Sequence, residues 1–149
     1  LLAGLMLAGV CAPLNAQNIL VNELSRAAGS VTAAGDEWVE IVLAEPLTAA
    51  QLNEYMVGDS SAARVSKVGA LQFTGMEGIA GNFPAGTIIV VAGGAAGLTE
   101  DLAYNPGGGD WNLTFVLNSP YLTSVGTGTI DFAGDDVAWV DRTPSDTIT

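Results

Sequence analysis

An all-β sandwich of about seven to eight strands, preceded by a truncated signal peptide, is the fold class this sequence predicts. Three observations predict it. Short runs rich in β-branched and aromatic residues alternate with Gly, Pro, Asn and Ser clusters, the spacing of a sandwich or barrel. One run, Trp111-Asn112-Leu113-Thr114-Phe115-Val116-Leu117, puts Trp111, Leu113, Phe115 and Leu117 on one face at period two. The only segments of helical character, Thr48 to Glu54 and Leu98 to Leu102, are shorter than an independent helix requires and read as single turns joining strands.

Taken in order, the predicted strands are Asn18 to Leu24, Glu37 to Ala44, Tyr55 to Gly58, Val65 to Phe73, Thr87 to Ala92, Trp111 to Leu117, Gly128 to Phe132 and Asp136 to Asp141. Ile88-Ile89-Val90-Val91-Ala92 is apolar on both faces and is expected inside a sheet or covered on both sides. Gly86 before it and Gly93-Gly94 after it end it. Thr48 is a suitable helix N-cap. Asn105-Pro106 is expected to begin an open loop through Gly107-Gly108-Gly109, and no internal repeat or linker divides the chain.

Ahead of the first strand, Leu1 to Val10 is apolar and uncharged. It matches the apolar region of a secretory signal whose positive start is missing, with Ala16 as the last residue before cleavage. The expected division is therefore a signal peptide over 1–16 and a β-sandwich over 17–149. Cys11, Pro13 and Asn15 interrupt the run well before the roughly 20 apolar residues of a membrane span. No span is expected after signal removal. Leu7-Ala8-Gly9-Val10-Cys11 also resembles a bacterial lipobox, with Val10 where a small residue is usual, so lipidation at Cys11 stays open beside cleavage after Ala16.

Composition narrows the function classes. Four Lys and Arg stand against 16 Asp and Glu with no His, a formal charge of -12. Such a field repels phosphate backbones, and nucleic acid is not an expected partner. With 49% hydrophobic residues the chain is too apolar for a disordered acidic tail. Cys11 is the single cysteine, so a chain beginning at Gln17 has neither disulfide nor thiol ligand.

Ile19-Leu20-Val21-Asn22-Glu23-Leu24, a Gly/Ala-rich loop and Asp36-Glu37-Trp38-Val39-Glu40-Ile41 look like the opening of the bacterial lamin-tail domain family. Leu52-Asn53-Glu54-Tyr55-Met56-Val57-Gly58-Asp59, Phe83-Pro84-Ala85-Gly86-Thr87-Ile88-Ile89-Val90-Val91 and Ala133-Gly134-Asp135-Asp136-Val137-Ala138-Trp139-Val140-Asp141 resemble its later elements. Ile41-Val42-Leu43, in place of a short turn, and the loop from Gly75 to Asn82 depart from the pattern. The resemblance implies an immunoglobulin-like sandwich, found in bacteria on secreted or surface proteins, with no activity of its own.

The absence of histidine and of a mature cysteine excludes Ser/His/Asp and Cys/His nucleophiles and histidine-bound zinc. Carboxylates remain. Glu37 and Glu40 are closest, but three apart on a strand they face opposite sides; Glu23 and Glu37 are expected to meet loop backbone donors instead. Calcium is the one candidate cofactor, with Asp131, Asp135, Asp136 and Asp141 as ligands and Asp59 brought near by folding, although no helix-loop-helix calcium pattern is present. An acidic sheet edge explains the same residues. Tyr104, Trp111 and Tyr121 flank the glycine loop, with Trp111 expected in the core. Asn112-Leu113-Thr114 fits the glycosylation sequon but lies in a predicted strand of a chain with bacterial features, and is not expected to be used.

The expected function is a non-catalytic binding or display module of a secreted or cell-surface bacterial protein, its partner an unidentified protein or surface polymer. The alternatives are an accessory domain of an extracellular hydrolase or nuclease whose catalytic part lies beyond residue 149, and a calcium-stabilised adhesive domain.

Overall fold

Period-two alternation decides which strands share a face, and the computed structural model shows how they pair. It describes residues 18–25, 37–61, 69–92, 98–126 and 136–142. The strands are β1 (Ile19–Ser25), β2 (Trp38–Leu43), β3 (Leu47–Thr48), β4 (Tyr55–Ser61), β5 (Gly69–Phe73), β6 (Asn82–Phe83), β7 (Ile88–Ala92), β8 (Asn112–Phe115), β9 (Leu122–Gly126) and β10 (Asp136–Arg142), with one helix, α1 (Ala49–Leu52). One sheet has the order β1-β2-β7-β8 and the other β10-β4-β5-β9. The predicted all-β sandwich is the observed architecture. The putting-together of eight longer strands and the two-residue ribbon β3-β6 accounts for the ten.

In the first sheet Val39, Ile41 and Leu43 alternate inward along β2, opposite Ile89 and Val91 of β7. β7 lies inside the sheet, between β2 and β8. In the second sheet Tyr55 and Val57 of β4 face inward with Leu71 and Phe73 of β5 and Val140 of β10. The two inner faces meet in one apolar cluster, in which Phe73 and Phe115 pack edge to face with centroids 5.9 Å apart. Burying each such ring stabilises the fold by about 1.5–3 kcal/mol.

β7 and β8 run parallel, while every other pair of longer strands is antiparallel. Parallel neighbours need a long crossover, and residues 93–111 supply it. Where residues 98–102 were predicted as a helical turn, the chain is extended instead. Asp101 N–H donates to Thr114 O at 2.9 Å and Asp101 O accepts from Thr114 N–H at 2.8 Å, because the outer edge of β8 offers unpaired backbone groups. The predicted open loop is also closed: Asn105 caps a 3-10 turn over Pro106–Gly108 by accepting from the Gly108 N–H.

One end of the sandwich is shut by β3, α1, β6 and the 3-10 turn Met76–Gly78, which bury Leu47, Ala49, Leu52, Met76 and Phe83. Thr48 and Gln51 form a reciprocal capping box on α1. Asn53 ties the helix to the 3-10 turn, its Oδ1 accepting from the Met76 N–H at 3.1 Å and its amide donating to Glu77 at 3.0 Å. The chain then turns through Pro84-Ala85-Gly86-Thr87, closed by Thr87 N–H to Pro84 O at 3.2 Å. Gly86 takes φ 89°, which the third position of this turn type demands.

Of the longer strands, one needed the structure. β9 was not predicted, because Leu122-Thr123-Ser124-Val125-Gly126 has no strong alternation; it is held by pairing with β5, Leu122 opposite Phe73. The strand predicted at Gly128 to Phe132, and the signal peptide, lie outside the described residues. Among the described residues no helix is long and apolar enough to cross a membrane.

On the outer face of the second sheet Trp139 stands opposite Gly58, and its indole covers that glycine. A Cβ at Gly58 would lie 2.3 Å from both Trp139 Cζ2 and the Gly69 carbonyl oxygen. The Gly58→Ala variant is expected to lose about 1–3 kcal/mol, the cost of overpacking a filled site. Denaturant unfolding measures it, and an unchanged midpoint would show that the ring does not seat on the glycine.

Candidate functional site

The carboxylates singled out in the sequence are kept apart. Glu37, immediately before β2, is 5% exposed, whereas Glu40 is half-buried on the outer face and accepts from Asn22 Nδ2 at 2.6 Å. Glu23 is exposed and stands opposite Glu40, beside the irregularity between Val21 and Glu23. Such a bulge lets the Asn22 amide lie against one carboxylate of a like-charged cross-strand pair. Glu37, on the buried side, and Glu40, on the outer side, do not face a common cleft.

Of the four calcium candidates, the two that lie among the described residues are not brought together. Asp131 and Asp135 lie outside the described residues. Asp136 and Asp141 stand at the two ends of β10, five residues or roughly 16 Å apart at the rise of a strand, too far for one cation. Asp141 is exposed and accepts from the Arg142 N–H at 2.8 Å. Asp59 is buried, opposite Ala138 and diagonal to Asp136 across the β4-β10 pair. Among the described residues no three acidic, histidine or cysteine groups converge on a metal position.

Of the three aromatics, two are structural. Tyr104 tilts against Phe83 with centroids 5.3 Å apart, and its hydroxyl shares a hydrogen bond of 2.6 Å with the fully buried Thr87 Oγ1. Tyr121 packs on Phe115 at 6.2 Å. Trp111 corrects the sequence reading: it was expected in the core and is 37% exposed. Its parity with Leu113 and Phe115 is right, but β8 begins at Asn112, so Trp111 falls past the margin of the packed interior.

The surface with the most distinct chemistry was missed. On the outer side of the first sheet, register places Leu20 opposite Val42, Val42 opposite Ile88, and Ile88 opposite Asn112. Leu20 is 44% exposed, and Val42 and Ile88 are half-buried. This apolar row can make non-polar contacts with a partner, rimmed by Glu23, Glu40 and Thr114. The available signal was the absence of polar alternation at Leu20, Val42 and Ile88, which reads equally as deep burial.

Nothing matched this chain in comparisons with family models, curated proteins and solved structures. Its own geometry therefore carries the functional argument.

Burial pushes the Tyr104 phenol above its ordinary value near 10; the Asp110 carboxylate adds to the rise and the Thr87 hydrogen bond opposes it. Folded Tyr104 keeps its proton at a pH where the unfolded chain loses it. Its contribution is complete below the unfolded value and is lost as pH rises through 10 and beyond. Unfolding free energy measured from pH ~9 to ~11 should fall less steeply in Tyr104→Phe than in the parent; identical slopes would reject this role.

Proposed function

We propose that this chain is a non-catalytic binding or display module of a secreted or cell-surface bacterial protein, of the lamin-tail type that its motifs resemble. The observation that carries the reading is the outer face of the first sheet. There Leu20, Val42 and Ile88 present an apolar row, while the inner faces are filled by side chains such as Ile41, Ile89 and Phe115. A partner bound on that row gains from apolar burial without any reacting group.

Further support comes from the placement of the motifs. The segments that resemble lamin-tail domains fall on β1, β2, β4, β7 and β10, which run through the centre and one edge of both sheets. The charge of -12 disfavours polyanions and leaves a neutral or cationic protein or surface polymer as the partner class. Glu37 and Glu40, separated as they are, support binding over glycoside hydrolysis.

Binding of the purified chain to cell-envelope preparations from the organism that makes it tests this reading. Retention is expected, and Leu20→Asp should weaken it roughly tenfold to a hundredfold, as loss of one buried leucine contact implies, with the melting midpoint unchanged. Turnover of glycoside or phosphodiester substrates that disappears in Glu40→Gln would overturn the non-catalytic reading.

A further inference from the structure

Asn112 is the first residue of β8, with its side chain exposed. With Leu113 and Thr114 it completes the Asn-x-Thr acceptor pattern for N-linked glycosylation, x being other than proline. Position within a strand and the bacterial features of the chain weighed against this tripeptide; the structure keeps it in β8 but makes the acceptor the first residue of that strand, with its side chain exposed.

Local geometry turns the acceptor outward. Leu113 is fully buried, so alternation directs Asn112 and Thr114 to the opposite, solvent side of the sheet. The ladder to β7 passes through the preceding residue, Ile88 N–H donating to Trp111 O at 3.0 Å. The Asn112 N–H is instead held by Asp110 Oδ1 at 3.3 Å, at the exit of the Asn105–Asp110 turn. Asp110 also stands two residues before the acceptor and holds its backbone N–H. Asn112 continues the row Leu20, Val42, Ile88 at its open end.

We propose that Asn112 is an N-glycosylation site whose glycan borders the apolar row and limits which partners reach it. Asn112 Nδ2 attacks the anomeric carbon of an oligosaccharide carried on a lipid diphosphate. The new N–C bond forms as the anomeric C–O bond breaks; the lipid diphosphate leaves with the electron pair, and the amide proton passes to a base of the transferase. The proposal rests on the export reading, because donor and transferase act on exported chains.

The test uses the full chain behind a host's own export signal, in a bacterial host and a yeast host that each N-glycosylate exported proteins. Intact mass and peptide mapping should show an oligosaccharide on the peptide containing Asn112. It should be lost in Asn112→Gln and Thr114→Ala and kept in Thr114→Ser. Exported wild-type protein without the added mass in both hosts overturns the proposal, as does added mass that persists in Asn112→Gln. A parallel chain carrying the complete N-terminus of its natural reading frame reports on export: its retention in the cytoplasm, with Asn112 modified behind the host signal, overturns the export reading alone.

Discussion

The contact of Phe73 with Phe115 joins the two sheets, and much of the surface chemistry depends on it. Phe73 closes β5 in one sheet and Phe115 closes β8 in the other, and their edge-to-face packing adds about 0.5–1.5 kcal/mol beyond the area it buries. Tyr121 extends the stack, on the turn that carries the chain from β8 to β9. With Phe115 and Leu113 fixed inward, the remaining side of β8 has no freedom of direction. Asn112 and Thr114 face solvent, and Trp111 is left beyond the packed interior.

The opposite edge of the sandwich is held by polar chemistry. Asn18 Nδ2 donates to the Tyr55 hydroxyl at 3.3 Å, and the Arg142 guanidinium lies 5.5 Å from the Tyr55 ring centroid while pairing with Glu54. These residues link the start of β1 to β4 and the end of β10. Because Arg142 and Glu54 are about half exposed, water screens the pair and its contribution is small. The ring beneath it, 5% exposed, contributes more through burial. An acidic chain with few cations thus uses one of them to bind two strands together, rather than to recognise an anion.

The two functional proposals share a single surface. An apolar row on the outer face of the first sheet offers a partner non-polar contact, and the acceptor asparagine closes one end of that row. The formal charge of -12 disfavours polyanions there. On the proposed reading, recognition there would depend on shape and apolar area, and the β-branched Val42 and Ile88 lose little side-chain freedom on contact.

Much of the fold was legible because alternation is a local property. Trp38 to Leu43, Ile88 to Ala92 and Asp136 to Asp141 could be read as strands from residue type alone, and the capping pair Thr48 and Gln51 fixes the short helix. Leu122 to Gly126 could not, because its strand state comes from hydrogen bonds to β5, which is distant in sequence. Residues 98–102 misled for the same reason: composition suggested a turn of helix, and the free edge of β8 drew Asp101 into an extended bridge. The candidate site was less legible still. Period two says that Leu20, Val42 and Ile88 share a face, but only pairing shows that they share one row and that the row is open.

By itself, then, the sequence determined the sandwich class, the inner face of each strong strand, and the absence of histidine chemistry, since these follow from residue type and period. Tertiary structure decided the parallel pairing of β7 with β8, the separation of Asp136 from Asp141, the exposure of Trp111 and Leu20, and the outward position of Asn112. Each of those depends on which distant strand supplies a neighbour and where the packed interior stops, and neither is encoded within a short window of chain.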